Sequence, residues 1–195
     1  GSEMCIRDRG NTTPKFSGGF GLNATYKGFD MSMFFNFMYD FDVLNANKIM
    51  LTTWADNKEN NFLMNIASDK RWRNFDDMGN EIRYSPEVLA EFNKNATMWN
   101  PTSIGRPICM SYAVEDGSFL RLNSATLGYT LPSVWTKKVG LSKVRFYVSG
   151  NNLFTLTGYS GYDPEVNIAT GLTPNIDYNR YPRSRTYTFG AQLTF

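Results

Sequence analysis

The sequence contains no histidine. That removes the imidazole general base, the Ser-His-Asp and Cys-His arrangements, and every histidine-based metal site. No pair of carboxylates stands at a recognisable catalytic spacing either, so an enzyme is not expected and no cofactor is implied. Cysteine is nearly absent: Cys5 and Cys109 are the two, and a lone thiol such as Cys109 has no disulfide partner if Cys5 is set aside. Charge is sparse at 19% of residues and almost balanced at +2, so net charge points to no polyanion. The basic run Asp69-Lys70-Arg71-Trp72-Arg73 is too short for a nucleic-acid surface. There is no uninterrupted apolar stretch of about eighteen residues, which excludes a transmembrane helix. It does not exclude a transmembrane barrel, whose alternating strands average to a polar composition such as this mean hydropathy of −0.39.

Aromatic residues are plentiful, at 15%, and they fall in order. From Phe16 to Tyr26 the even positions are Phe16, Gly18, Phe20, Leu22, Ala24 and Tyr26, against polar and small residues at the odd positions. Period-two alternation of this length is a strand long enough to cross a bilayer. Lys27-Gly28 predicts a two-residue hairpin turn. A second strand follows, with Phe29, Met31, Met33, Phe35, Phe37 and Tyr39 on one face and Asp30, Ser32, Phe34, Asn36, Met38 and Asp40 on the other. A third runs over residues 119–130. Its lower half places Ala125, Leu127 and Tyr129 together, whereas Leu120 and Leu122 fall on the opposite parity. Either a bulge shifts the register there or that half stands above the membrane. The fourth strand sets Val144, Phe146 and Val148 against Arg145, Tyr147, Ser149 and Asn151, and the fifth occupies 185–195 with Tyr187, Phe189, Ala191, Leu193 and Phe195 on one face.

Between strands the chain alternates short and long connections. Those after Tyr26 and Thr130 are short, the latter with a helical turn expected around Val134-Trp135. Those over 41–118 and 154–184 are long. A short helix is expected from Ala46 to Trp54. Another starts after Ser85 as N-cap with Pro86 at its first position, with Val88, Leu89 and Phe92 as its buried stripe. Barrels keep periplasmic turns short and extracellular loops long. That places Tyr26, Phe29, Tyr129 and Phe195 at the periplasmic end and Phe16, Tyr39 and Tyr187 toward the outer one. The expected fold class is therefore all-β: an antiparallel transmembrane β-barrel fragment, about the last five strands, with long extracellular loops containing short helices. Five strands cannot close a barrel, since an open edge in lipid leaves backbone groups unpaired. A soluble carbohydrate-binding β-domain, or a small outer-membrane barrel or adhesin, is the alternative.

Two resemblances follow from particular residues. Gly1-Ser2-Glu3-Met4-Cys5-Ile6-Arg7-Asp8-Arg9 resembles the translation of a transposase adapter used in library preparation. Residues 1–9 are accordingly set aside as not native, and residues 10–195 are expected to be the C-terminal part of a barrel with plug and N-terminal strands missing. The second resemblance is carried by Pro14-Lys15-Phe16, Asn45-Ala46-Asn47-Lys48, Glu115-Asp116-Gly117-Ser118-Phe119-Leu120-Arg121-Leu122, Thr126-Leu127-Gly128-Tyr129, Ser149-Gly150-Asn151-Asn152-Leu153-Phe154-Thr155, Gly158-Tyr159-Ser160-Gly161-Tyr162-Asp163-Pro164-Glu165 and Tyr181-Pro182-Arg183. In this order they resemble the C-terminal end of SusC/RagA-type TonB-dependent outer-membrane transporters. The resemblance implies a 22-stranded plugged barrel in the outer membrane importing glycans or peptides. It further implies energy delivered through the TonB complex by segments outside this sequence, and a SusD-type surface lipoprotein over the mouth.

Several residues are candidates for chemistry. Thr188, Gly190, Leu193 and Phe195 resemble the strand signal read by the outer-membrane assembly machinery, which can pair with a free edge. Asn23, Asp30, Asn36, Arg145, Tyr147, Asn151 and Gln192 are predicted to face the lumen, to contact substrate or plug or simply to line a hydrated wall. Gly19, Gly21, Gly128 and Gly190 either make room for a plug or curve the sheet. Trp54, Trp72 and Trp99, with Phe75 and Tyr84, are candidate loop and partner contacts and can also stack on sugars. Asp76-Asp77 and Asp163 with Glu165 have the ligand type for calcium but not the spacing of a calcium loop, so solvated acidic turns are the expectation.

Overall fold

The computed structural model describes residues 10–53, 63–66, 70–101, 110–165 and 175–195. Cys5, Trp54 and Cys109, together with residues 1–9, lie outside them. Contacts divide the chain into two compact units, Gly1–Leu44 with Val114–Phe195, and Asn45–Ala113.

The first unit is built on long strands: β1 (Phe16–Tyr26), β2 (Phe29–Tyr39), β5 (Phe119–Thr130), β6 (Lys143–Thr157) and β8 (Thr186–Thr194). They form one antiparallel sheet in the order β1-β2-β5-β6-β8. A smaller sheet, not anticipated from the sequence, is made by β3 (Asp42–Asn45), β4 (Val114–Asp116) and the two-residue β7 (Ile176–Asp177). The β1–β2 hairpin turns on Lys27 and Gly28, with φ of +46° and +89°. Positive φ at both central residues is what a type I′ turn needs, and glycine adopts it freely. Across the hairpin Leu22 faces Met33, Phe20 faces Phe35 and Phe16 faces Tyr39. The apolar faces therefore coincide, and the rings of Phe20 and Phe35 stack at 4.9 Å.

The parity conflict in the third strand resolves as a bulge. Phe34 of β2 pairs with Ser124 and Phe35 with Leu122, leaving Asn123 as the extra residue. β6 answers at the same point: Asn151 pairs with Ser124 and Phe154 with Leu122, and Asn152 takes φ +53°. Asparagine tolerates this left-handed conformation better than most residues. Above the bulge Leu120 and Leu122 join the face of Ala125, Leu127 and Tyr129, while Phe119 and Arg121 turn to the other. β6 consequently continues to Thr157, so residues 154–157 are strand rather than the start of the loop.

That apolar face is uncovered. Phe16 is 65% exposed, Tyr26 69% and Phe189 80%, where a soluble sandwich would bury its large residues on an opposing sheet. The buried apolar cluster lies elsewhere: Phe41, Val43, Phe119 and Tyr159, with Met38 packed against them. Phe119 meets Phe41 edge to face at 6.4 Å. The connection after β5 is α3 (Ser133–Thr136) followed by a 3₁₀ turn over Lys137–Val139, as expected around Val134-Trp135.

The second unit carries α1 (Ala46–Met50) and α2 (Pro86–Phe92). Asn45 caps α1, its side chain accepting from Lys48 N at 3.1 Å. Ser85 stands at the N-cap of α2 as expected, but its hydroxyl makes no capping bond. The buried stripe expected on α2 is not there. Val88 and Phe92 are exposed and Leu89 is only half-buried. The Phe92 ring meets the Arg73 guanidinium at 5.5 Å in a cation–π contact, and the residue remains 37% exposed.

Candidate functional site

The second face of the long sheet carries the polar residues. Strand alternation delivers one side chain from each strand to it at every second position. At the hairpin end Asp30 of β2 and Arg145 of β6 reach across the intervening β5. Arg145 Nε donates to Asp30 Oδ1 at 2.9 Å and its Nη2 donates to Oδ2, a two-pronged guanidinium–carboxylate bond. The pair passes directly over Gly128, where any β-carbon would collide with both side chains. Beside it the Arg145 guanidinium lies 5.3 Å from the Tyr147 ring, and the Tyr147 ring in turn lies over Gly190. Gln192 is the register partner of Arg145. Gly19 seats the Phe34 ring in the same way, whereas a β-carbon at Gly21 would meet only ordinary contacts. Gly19, Gly128 and Gly190 thus accommodate side chains from neighbouring strands, the reading that lies between the two offered by sequence.

Of the residues predicted to share this face, Asp30, Arg145, Tyr147 and Gln192 are brought together. Asn23 pairs in register with Ser32, and Asn151 with Ser124 and Thr186, each apart from that group. Asn36 sits toward the other end opposite Arg121, its Oδ1 buried without a hydrogen-bond partner among the described residues.

Arg121 is the residue that sequence reasoning passed over. Turned inward by the Asn123 bulge, it is 2% exposed. It donates to Asp163 and lies 3.5 Å from Glu165, while its guanidinium stands 5.4 Å from the Phe119 ring. Arg183 Nη2 closes the set on Glu165 at 2.8 Å. Burial alone would push the Asp163 carboxyl up; the bond from Arg121 and the backbone N–H groups of Glu165 and Arg183 hold it below the usual carboxylate range. These two carboxylates are therefore occupied by guanidinium groups. Nearby, Tyr159 donates to Asp177 Oδ2 at 2.7 Å, and burial together with that carboxylate raises the phenol far above its ordinary value. Asp76 caps its own turn, accepting from Met78 N at 2.9 Å and Asn80 N at 2.7 Å. Among the described residues no group of acidic side chains is arranged to hold a metal ion.

Within the second unit the aromatic residues form a groove in two lobes, of about 480 Å³ and 360 Å³, that share Trp72, Asn74 and Asn100. Trp99 walls one lobe and Phe75 the other. Trp99 is fixed: its Nε1 donates to Thr52 O at 3.0 Å and its ring meets Tyr112 edge to face at 5.3 Å. Trp72 is 41% exposed. Tyr84 does not line the groove.

No protein-family model matches the chain. It is 34% identical to TonB-dependent receptor P3 of Formosa agariphila, over 99% of this chain and 18% of that protein. It is 38% identical to TonB-dependent receptor SusC of Bacteroides thetaiotaomicron, over 43% of this chain and 8% of that protein. Among solved structures, the RagAB peptide importer in its open-open state superposes with a TM-score of 0.68 at 26% identity, over 94% of this chain and 17% of that one. The closed-closed state gives 0.69 at 25%. The chain spans less than a fifth of the length of these relatives.

Proposed function

Since this chain belongs to the SusC/RagA-type TonB-dependent receptors, we propose that it is part of the barrel wall of an outer-membrane active transporter for glycans or peptides. The observation that carries this is the similarity to a TonB-dependent receptor along 99% of the chain. The uncovered apolar face of the sheet supports it, because lipid is the medium that satisfies such a face. In this reading the β-sheet residues stand in the outer membrane with that face against the bilayer. The polar face with Asp30, Arg145, Tyr147 and Gln192 is the lumen wall, and Asn36 stands on the same face toward its other end. The substrate reaches the mouth with a SusD-type lipoprotein, and the TonB complex supplies energy through segments outside this sequence. Thr188, Gly190, Leu193 and Phe195 present the strand that the outer-membrane assembly machinery reads. Removing Phe195 is expected to lower the amount of heat-modifiable folded barrel in outer-membrane fractions, with transcript level unchanged.

The decisive experiment fractionates the wild-type organism to locate the protein, then deletes the gene and follows growth and uptake on single glycans and on peptide mixtures. Recovery of the protein in the outer membrane, with loss of uptake of one polymer class and the same loss in a TonB-deficient strain, is the expected result. Recovery as a soluble protein, or uptake of every nutrient unaffected, defeats the proposal.

A further inference from the structure

The aromatic groove of the second unit has features that the transport reading does not use. Its backbone is already committed: Trp72 N donates to Met98 O at 2.8 Å, and Thr97 N and Met98 N both donate to Lys70 O at 2.9 Å. The described residues of the groove form isolated bridges, such as Arg71 with Met98, rather than a strand, so they offer an extended peptide no strand edge of the kind peptide grooves use. What remains available is side-chain surface. Trp72 presents a half-exposed ring whose indole N–H has no hydrogen-bond partner among the described residues. Asn74 contributes an amide and Thr97 a hydroxyl. Arg71, in the second lobe, is bound by no carboxylate among the described residues, whereas Arg73 is occupied by Asp77 at 2.6 Å and Asp76 by its own turn. Trp99, anchored to Thr52 O and packed on Tyr112, forms one wall of the groove. A flat ring with an amide, a hydroxyl and a guanidinium that are unpaired among the described residues is suited to a ligand that is apolar on its faces and rimmed with hydroxyls. The lobe volumes lie in the range of small-molecule sites.

We propose that this groove is a glycan-binding site, with a sugar ring stacked on Trp72 and its hydroxyls held by Asn74 and Arg71. The proposal deepens the transporter reading and rests on it, choosing glycan over peptide for this surface. The test uses the full-length protein purified in detergent, titrated with maltohexaose, cellohexaose, laminarihexaose and a polygalacturonate hexamer while tryptophan emission is followed. A soluble decapeptide is added as competitor. At least one oligosaccharide is expected to bind. Trp72→Ala should weaken that binding by about tenfold, the loss of one stacking contact, while Trp72→Phe stays near wild type. Trp135→Ala, in α3 of the first unit, should leave it unchanged. If Trp72→Ala does not give a heat-modifiable barrel, Asn74→Ala and Arg71→Ala are read by the same criterion. Binding of none of the four sugars, equal affinity in wild type and the groove variants, or displacement by the decapeptide overturns the assignment. Uptake by the deletion strain is measured separately, so a failed groove is distinguishable from a failed transporter.

Discussion

Arg121 shows how much one side chain carries. Its guanidinium is almost wholly buried against Asp163, whose side chain is 8% exposed. Removing one member of such a pair strands the other charge without solvent, at a cost of about 3 kcal/mol or more. Arg121→Met is therefore expected to lower the urea midpoint of the full-length barrel and to open the 158–165 segment to protease. Arg121→Lys should be intermediate, since an ammonium cannot reproduce the fork. The same pair sets a pH response. The Asp163 carboxyl titrates below its unfolded value, so its stabilisation is complete above the ordinary carboxylate range, about pH 4, and is lost as pH falls through the lower, folded value. Protease resistance of this segment should accordingly be the same at pH 7 and pH 5 and collapse only in stronger acid, and in Arg121→Met that acid step should disappear. In sequence, Asp163 and Glu165 announce only acidity. The partner that makes them structural lies 42 positions away for Asp163, and no local pattern points to it.

At the scale of elements, the period-two pattern located β1 to the residue and β2 to within one, Asp40 falling just past its end, because one face must be apolar throughout and any slip would invert it. The pattern also detected its own failure at Leu120 and Leu122. What it lacked was the partner strands, since a bulge is a property of a pair and is visible only in register. Deleting Asn123 tests this. Without the extra residue Leu120 and Leu122 would turn into the polar face and Arg121 out of it, so Asn123 deletion should abolish folded barrel, while Asn123→Gly, which keeps the count, should retain most of it. α2 shows the opposite limit. Its start was legible from Ser85-Pro86, but its apolar residues are left exposed or half-buried, and helix periodicity alone does not say what lies opposite. β7 was illegible for a simpler reason. Two residues carry no periodicity, and Ile176–Asp177 is strand because β3 is beside it.

At the scale of the molecule, the sheet presents two demands that residues 10–195 do not meet by themselves. Among the described residues β1 and β8 each pair on one side only, so a full row of N–H and C=O groups stands open along both edges. In hydrocarbon each unpaired group costs several kcal/mol, and in water such edges recruit other chains. The second demand is the apolar face, where the large residues Phe16, Tyr26, Phe189 and Phe195 lie open together. Lipid meets that demand but not the first, whereas water solvates the open edge groups but leaves the apolar face bare. Residues 10–195 expressed alone should therefore enter inclusion bodies, and refolding them in detergent should give no heat-modifiable monomer. On the transporter reading, further strands of the full-length gene product would pair with both edges, and that product should give one. A monodisperse, cooperatively unfolding monomer of 10–195 in detergent-free buffer would mean that the chain covers its own apolar face. The strands would then belong to a soluble sandwich, and the lumen, the lipid face and the transport reading would all fall with them.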